Sequence, residues 1–220
     1  LLFAAVFKQK PGNYALVSPN QYSAQKLYEF LLNFLDEDDV VFFPSDELLR
    51  AEALSSSREL LSQRLYALGQ LQQGKKKILV THPSALLRYL PNPSRFEEET
   101  IHFKVGDSFD LPSLKERLLN MGYQAASHVD KSLQFASRGD ILDVYSVSYL
   151  DPVRIEFFGD EIESIRIFNT RSQESKKSLE EATILPATDL FLSDEELASF
   201  VEKTKERLEK DKKLISPDAA

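Results

Sequence analysis

Val40-Val-Phe-Phe43 and Ile78-Leu-Val-Thr81 are short runs without polar alternation, each set between segments of helical period. A strand that is apolar on both sides has to be covered on both sides, which is the signature of a parallel sheet between helical layers. Tyr14-Ala-Leu-Val-Ser18 supplies a third run of this kind. Ser18-Pro-Asn20 gives cap and first-turn chemistry, and Tyr22, Leu27, Phe30, Leu31 and Phe34 then recur at helical spacing. A helix over roughly 57–73 is predicted after Ser55-Ser-Ser57, with Leu60, Leu61, Leu65, Leu68 and Leu71 turned inward, and a short one over Ala85–Leu90. The opening LLFAAVFKQKPGNY reads as helix. It lacks the basic start and small-residue cleavage site of a secretion signal, so the chain is expected to begin inside a larger protein.

The period changes after Pro91-Asn-Pro93. Strands are predicted at 100–105, 123–129, 133–137, 140–147, 153–158, 162–168 and 181–185, with one helix over Leu111–Met121 and Pro112 in its first turn. Val153, Ile155 and Phe157 alternate with Arg154 and Glu156, and Gly159-Asp160 makes a hairpin turn. Ser193-Asp-Glu-Glu196 resembles a capping box opening a helix that reaches about Lys210. The expected organisation is an α/β parallel-sheet part over 1–96, a mainly antiparallel α+β part over 97–186, and a helical segment over 187–220.

The residue inventory argues against chemistry. The formal net charge of −8 and pI near 5.1 repel phosphate, so autonomous DNA binding is not expected. Cysteine is absent, which removes disulfides, thiolate metal sites and thiol nucleophiles. His82, His102 and His128 lie far apart, and Asp36-Glu-Asp-Asp39 reads as a solvated turn, so no metal is expected. No apolar run approaches the ~20 residues that span a bilayer. GQLQQGKK at 69–76 is one residue short of a phosphate loop and leads from helix to strand, the reverse of the order a phosphate cradle requires. Gly74 is better read as a helix C-cap, with Lys75–Lys77 near the helix's negative end. No serine sits in a G-x-S-x-G elbow, and Asp160-Glu161 and Glu180-Glu181 read as surface pairs. No catalytic residue and no cofactor is expected.

FASRGDILDVYS, residues 135–146, needs its own reading. Arg138-Gly-Asp140 stands at the entrance of a strand, where an adhesion ligand would need a flexible loop tip. Gly139 permits a positive φ or a bulge there. Two readings of Arg138 stay open: a structural arginine paired with Asp140 or Asp143, or an exposed arginine that serves a protein partner.

The whole string resembles the amino-terminal region of bacterial transcription-repair coupling factors and, more distantly, the excision-repair helicase UvrB. The likeness is carried by Phe43-Pro-Ser-Asp46, Ser62-Gln-Arg-Leu-Tyr-Ala-Leu68 and Ile78-Leu-Val-Thr-His-Pro-Ser-Ala-Leu-Leu-Arg-Tyr-Leu-Pro91. Its most specific parts are Phe135–Tyr145, Asp151–Phe168 and Thr183-Ile-Leu-Pro-Ala187. The resemblance implies a degenerate helicase-like (P-loop-type) α/β half-domain over 1–96, an inserted domain over 97–186 that docks the UvrA damage-recognition ATPase, and a helical return segment. It also implies that RNA polymerase and DNA are engaged only through parts of the parent protein outside this chain, and that the motor lies there too. A monomer in the bacterial cytoplasm, with no membrane contact, is expected. The alternative is an ATP-binding helicase domain of the UvrB type acting directly on damaged DNA.

Of the docking arginines the resemblance implies, Arg138 matches one, while two others fall on Ala125 and Ala136. Phe135 and Arg154 are the candidates to complete the patch, by proximity in the expected sheet. Gly139 and Gly159 are the expected structural turns.

Overall fold

The computed structural model describes residues 2–45, 58–87, 90–191 and 194–215, the side chains of 194 and 212–215 excepted. The caps expected at Ser55–Ser57 and Ser193, together with Asp46, Arg88 and Tyr89, lie outside the described residues. Described residues up to Asp189 form one compact unit, and those from Leu190 onward form another.

The first unit opens with α1 (Leu2–Gln9), β1 (Tyr14–Val17), α2 (Gln21–Leu31), β2 (Val40–Phe42), α3 (Arg58–Gln72), β3 (Ile78–Thr81) and α4 (Pro83–Leu86). Asn20 starts α2 with its side-chain oxygen accepting from the Ser23 amide at 2.9 Å. The three strands make a parallel sheet in the order β1-β3-β2. β2 and β3 are covered on both faces, as strands without alternation require, whereas the edge strand β1 leaves Ala15 and Val17 exposed. Ala4 and Phe7 of α1 and Ala24 and Leu31 of α2 cluster with Val40, Ile78 and Val80 on one side. Ala67 of α3 and Ala85 of α4 cluster with Val41 and Phe43 on the other.

Pro93 opens a further helix instead of only breaking the pattern: α5 (Pro93–Glu99) is capped by Asn92, whose side chain accepts from the Ser94 amide. Then come β4 (Ile101–Lys104), α6 (Leu111–Asn120), β5 (Gln124–Ala125), β6 (Gln134–Arg138), β7 (Ile141–Val144), β8 (Val153–Phe158), β9 (Glu161–Phe168), β10 (Ser175–Leu179) and β11 (Glu181–Ile184). Asp110 caps α6, and its hydrogen bonds from Ser113 hold its pKa below the ordinary carboxylate value. Six strands form one sheet in the order β10-β9-β8-β7-β6-β5, antiparallel except for the short β5–β6 pair, and β4 and β11 pair antiparallel beside it. The fold is thus a mixed α/β chain with one parallel and one mainly antiparallel sheet.

Arg64 is a buried charge of the first unit, with only 1% of its side chain exposed. Its Nε and Nη2 donate to Asp189 Oδ2 at 2.9 and 2.7 Å, and Nη1 donates to the Pro44 carbonyl at 3.0 Å. The guanidinium also lies 4.6 Å from the centre of the Phe43 ring. One side chain on α3 therefore holds the end of a parallel-sheet strand and a residue beyond β11. The expected inward row of leucines is only partly realised: Leu65 is buried, but Leu71 is exposed.

The second unit contains α7 (Asp194–Ile215), five residues longer than its expected end at Lys210. Leu197, Phe200, Val201 and Leu208 are exposed along it.

Removing one member of a buried ion pair strands the other, whereas replacing both by apolar groups relieves the strain. Arg64→Leu is expected to lower stability by about 3 kcal/mol or more in guanidinium denaturation. Arg64→Leu with Asp189→Leu is expected to recover part of that loss; a double variant as unstable as the single would contradict the pairing.

Candidate functional site

The antiparallel ladder sorts side chains onto two faces, because residues paired in register share a face. Phe135, Leu142, Val144, Val153, Ile155 and Phe157 are buried on one of them. The other face carries two charged rows. One runs Arg138, Ile141, Glu156, Ser164 and the next Ala136, Asp143, Arg154, Arg166, Ser178, read across β6 to β10.

Asp143 is the centre of this face. It is buried on a central strand, and Arg154 directly opposite takes its carboxylate in both oxygens: Nε to Oδ1 at 2.7 Å and Nη2 to Oδ2 at 2.8 Å. Arg154 Nη2 also donates to Gln173 Oε1 at 2.8 Å, and the guanidinium lies 4.1 Å from the centre of the Phe168 ring. Gln173 holds a φ of 59°, an uncommon backbone for a non-glycine residue, at the turn that brings its carboxamide to Arg154. The hydrogen bonds to Asp143 push the Arg154 pKa further above its ordinary value. Only 13% of the Arg154 side chain is exposed.

Arg138 is different. Its side chain is 58% exposed, and Nη2 stands 3.9 Å from Asp143 Oδ2, beyond hydrogen-bond length. It sits at the end of β6, where Gly139 turns the chain with φ +57°. Gly159, at φ +63°, turns the β8–β9 hairpin at the same end of the sheet, and the Phe157 amide donates to the Asp140 carbonyl at 2.8 Å between the two hairpins. Of the two readings of Arg138, pairing with Asp143 is therefore loose, and more than half of the side chain faces solvent.

The remaining candidates divide. Phe135 is buried, so the expectation that its ring completes a surface patch is corrected: it alternates with Arg138's face and packs inward. Arg154 shares the face with Arg138 but is held by Asp143, Gln173 and Phe168. Ala136 is buried with Val129 and Phe168, so that position has no room for an arginine, while Ala125 is exposed on β5. Sequence reasoning missed Phe158. It follows Arg154 and Glu156 in strict alternation on the charged face and is 82% exposed at the hairpin tip. The signal was present in the doubled Phe157-Phe158, since alternation can bury only one of two adjacent rings.

The phosphate-loop lookalike is no cradle. Gly69 lies inside α3, Gly74 follows the helix with φ +69°, and Lys77 is buried, its Nζ donating to the Asp38 carbonyl and Gln70 Oε1. His102 has Glu97 Oε1 and Thr183 Oγ1 at its two ring nitrogens. Among the described residues, no group of three or more His, Asp or Glu side chains is placed to hold a metal ion.

This charged sheet lies within a segment of known kind. The family model of the UvrB interaction domain matches residues 101–190. Nearly the whole chain is similar to transcription-repair-coupling factors. It is 34% identical over 203 residues to that of Bacillus subtilis (strain 168), covering 92% of this chain and 17% of the relative. With that of Staphylococcus aureus (strain bovine RF122 / ET3-1) it shares 31% identity over 216 residues, 95% of this chain and 18% of the relative. The chain thus spans under a fifth of the length of these relatives.

Losing a buried partner leaves an uncompensated charge. Asp143→Ala is expected to cost about 3–5 kcal/mol in urea denaturation, because Arg154 is left nearly buried and unpaired. Asp143→Asn, which keeps an acceptor, is expected to cost less. A loss below about 1 kcal/mol for the alanine variant would show that Arg154 is not held there.

Proposed function

We propose that this chain is a protein-interaction module that docks the UvrA damage-recognition ATPase through the charged face of its six-stranded sheet, linking stalled RNA polymerase to nucleotide excision repair. The observation that carries the reading is Arg138: an exposed side chain at a hairpin end, at the same end of the sheet as an exposed Phe158, inside a segment that matches the UvrB interaction domain. Arginine offers a rigid fork of donors to a carboxylate, and arginines and large aromatics are enriched among the residues that dominate binding energy. Asp143 and Arg154 fix the surface beneath them.

Residues 1–96 are read as a degenerate helicase-like part, 97–186 as the docking part, and 187–220 as the helical continuation. RNA polymerase and DNA belong to the remainder of the parent protein, as does the motor, and the module acts in the bacterial cytoplasm as a monomer. No helix among the described residues is long and apolar enough to cross a membrane. An ATP-binding helicase domain is disfavoured by the helical setting of Gly69 and the internal bonds of Lys77.

Truncating a central interface arginine costs about 2 kcal/mol or more, roughly thirtyfold in affinity. Arg138→Ala in the full chain is expected to weaken UvrA binding by at least that factor in titration calorimetry, with little change in melting temperature. Unchanged affinity would overturn the docking reading. A collapsed melting temperature would assign Arg138 a structural role instead.

A further inference from the structure

Arg154 and Arg166 stand directly opposite each other on β8 and β9, a like-charge cross-strand pair. The two charged rows hold three guanidiniums, Arg138, Arg154 and Arg166, against two carboxylates, Asp143 and Glu156. The carboxylates are not shared evenly. Arg154 has both its Nε and Nη2 engaged by Asp143 and an aromatic ring beneath it. Arg166 has one bond, from Nη2 to Glu156 Oε1, and Glu156 also accepts from Ser164 Oγ at 2.8 Å. Its Nε is buried with no hydrogen-bond partner among the described residues, while 31% of the side chain remains exposed. An orphaned donor of this kind costs about 1–3 kcal/mol. Such a site is explained when an external acceptor re-aims the group.

We propose that Arg166 is a second, separate contact point of the docking face, so that the partner surface carries two carboxylates, one for Arg138 and one for Arg166, straddling the internally closed Asp143–Arg154 pair. The proposal rests on the docking reading above. Arg138 and Arg166 lie on β6 and β9, three strand spacings apart, or about 14 Å across the sheet. That is the backbone spacing; the two side chains reach different carboxylates, Asp143 for Arg138 and Glu156 for Arg166, and so act as separate contact points. The partner fitted to this face therefore has an acidic surface with two charges, one for each arginine, and an apolar socket for Phe158. The arrangement also sets the register of docking, since two fixed points define an orientation where one does not.

The test measures UvrA binding by biolayer interferometry for the full chain carrying Arg138→Ala, Arg166→Gln, both together, or Ser178→Glu, with melting temperatures alongside. Ser178 is exposed on β10 opposite Arg166, so a glutamate there neutralises Arg166 without removing it, and an opposite-charge cross-strand pair favours the fold. Arg166→Gln is expected to weaken binding about fivefold to tenfold. The double variant should lose the product of the two single effects, and Ser178→Glu should weaken binding with its melting temperature kept or raised. If Arg138→Ala weakens binding but both Arg166→Gln and Ser178→Glu leave it unchanged, the second contact is refuted and docking through Arg138 stands. If none of the four changes affinity, the docking reading falls and this inference with it. Should Arg166→Gln lower the melting temperature markedly, Ser178→Glu decides: weakened binding supports the contact, and unchanged binding refutes it.

Discussion

The bidentate hold of Asp143 on Arg154 is the interaction on which the charged face depends. A carboxylate that is almost wholly buried would be costly without a partner, and a guanidinium with so little exposure would be costly without an acceptor. Each cancels the other's penalty, and Gln173 and Phe168 complete the enclosure. The consequence is geometric. With Asp143 and Arg154 closed on one another, the arginines to either side have only partial internal partners. Arg138 reaches Asp143 at ion-pair distance, and among the described residues Arg166 bonds Glu156 alone. A closed pair flanked by two open cations is a surface already organised for an acidic partner, because little side-chain freedom remains to be lost in the middle of it.

The parallel sheet plays another part. Its central strand β3 and β2 are covered on both faces, and its buried cations Arg64 and Lys77 are both spent internally. Arg64 reaches Asp189, the Pro44 carbonyl and the Phe43 ring at once. Asp189 lies at the end of the segment that matches the UvrB interaction domain. The pair therefore ties α3, on the parallel-sheet side, to the close of that segment.

The sheets were legible in the sequence where burial writes a period. β2 and β3 show as unbroken apolar runs and β8 as strict alternation, because each is covered in the matching way, whereas β1 shows the same unbroken run although Ala15 and Val17 are exposed at the sheet edge. β10, Ser175–Leu179, was invisible: it is an exposed edge strand with Lys176 and Lys177, so burial leaves no pattern in it. α5 escapes a sequence reading because Pro93 resembles a breaker, though the first turn of a helix has no need of the amide that proline lacks. The expected strand over 123–129 shrank to Gln124–Ala125. In the site, Arg138 and Gly139 could be read from their place at a strand entrance. Phe135 could not be placed correctly without the register, since the face of a strand residue depends on which partner it meets. Nothing local in Ser62–Leu68 marks Arg64, an arginine whose acceptor is 125 positions away.

Side-chain oxidation by hydroxyl radicals, read by mass spectrometry with and without UvrA, tests the central claim most directly, because it reports which exposed groups a partner covers. Phe158 on the charged face and Tyr22 on α2 are both exposed in the free chain and serve as probe and reference. The expected result is strong protection of Phe158 at saturating UvrA, with Tyr22 oxidised as before. Phe158 oxidised at its free rate in the saturated complex would contradict docking through this face.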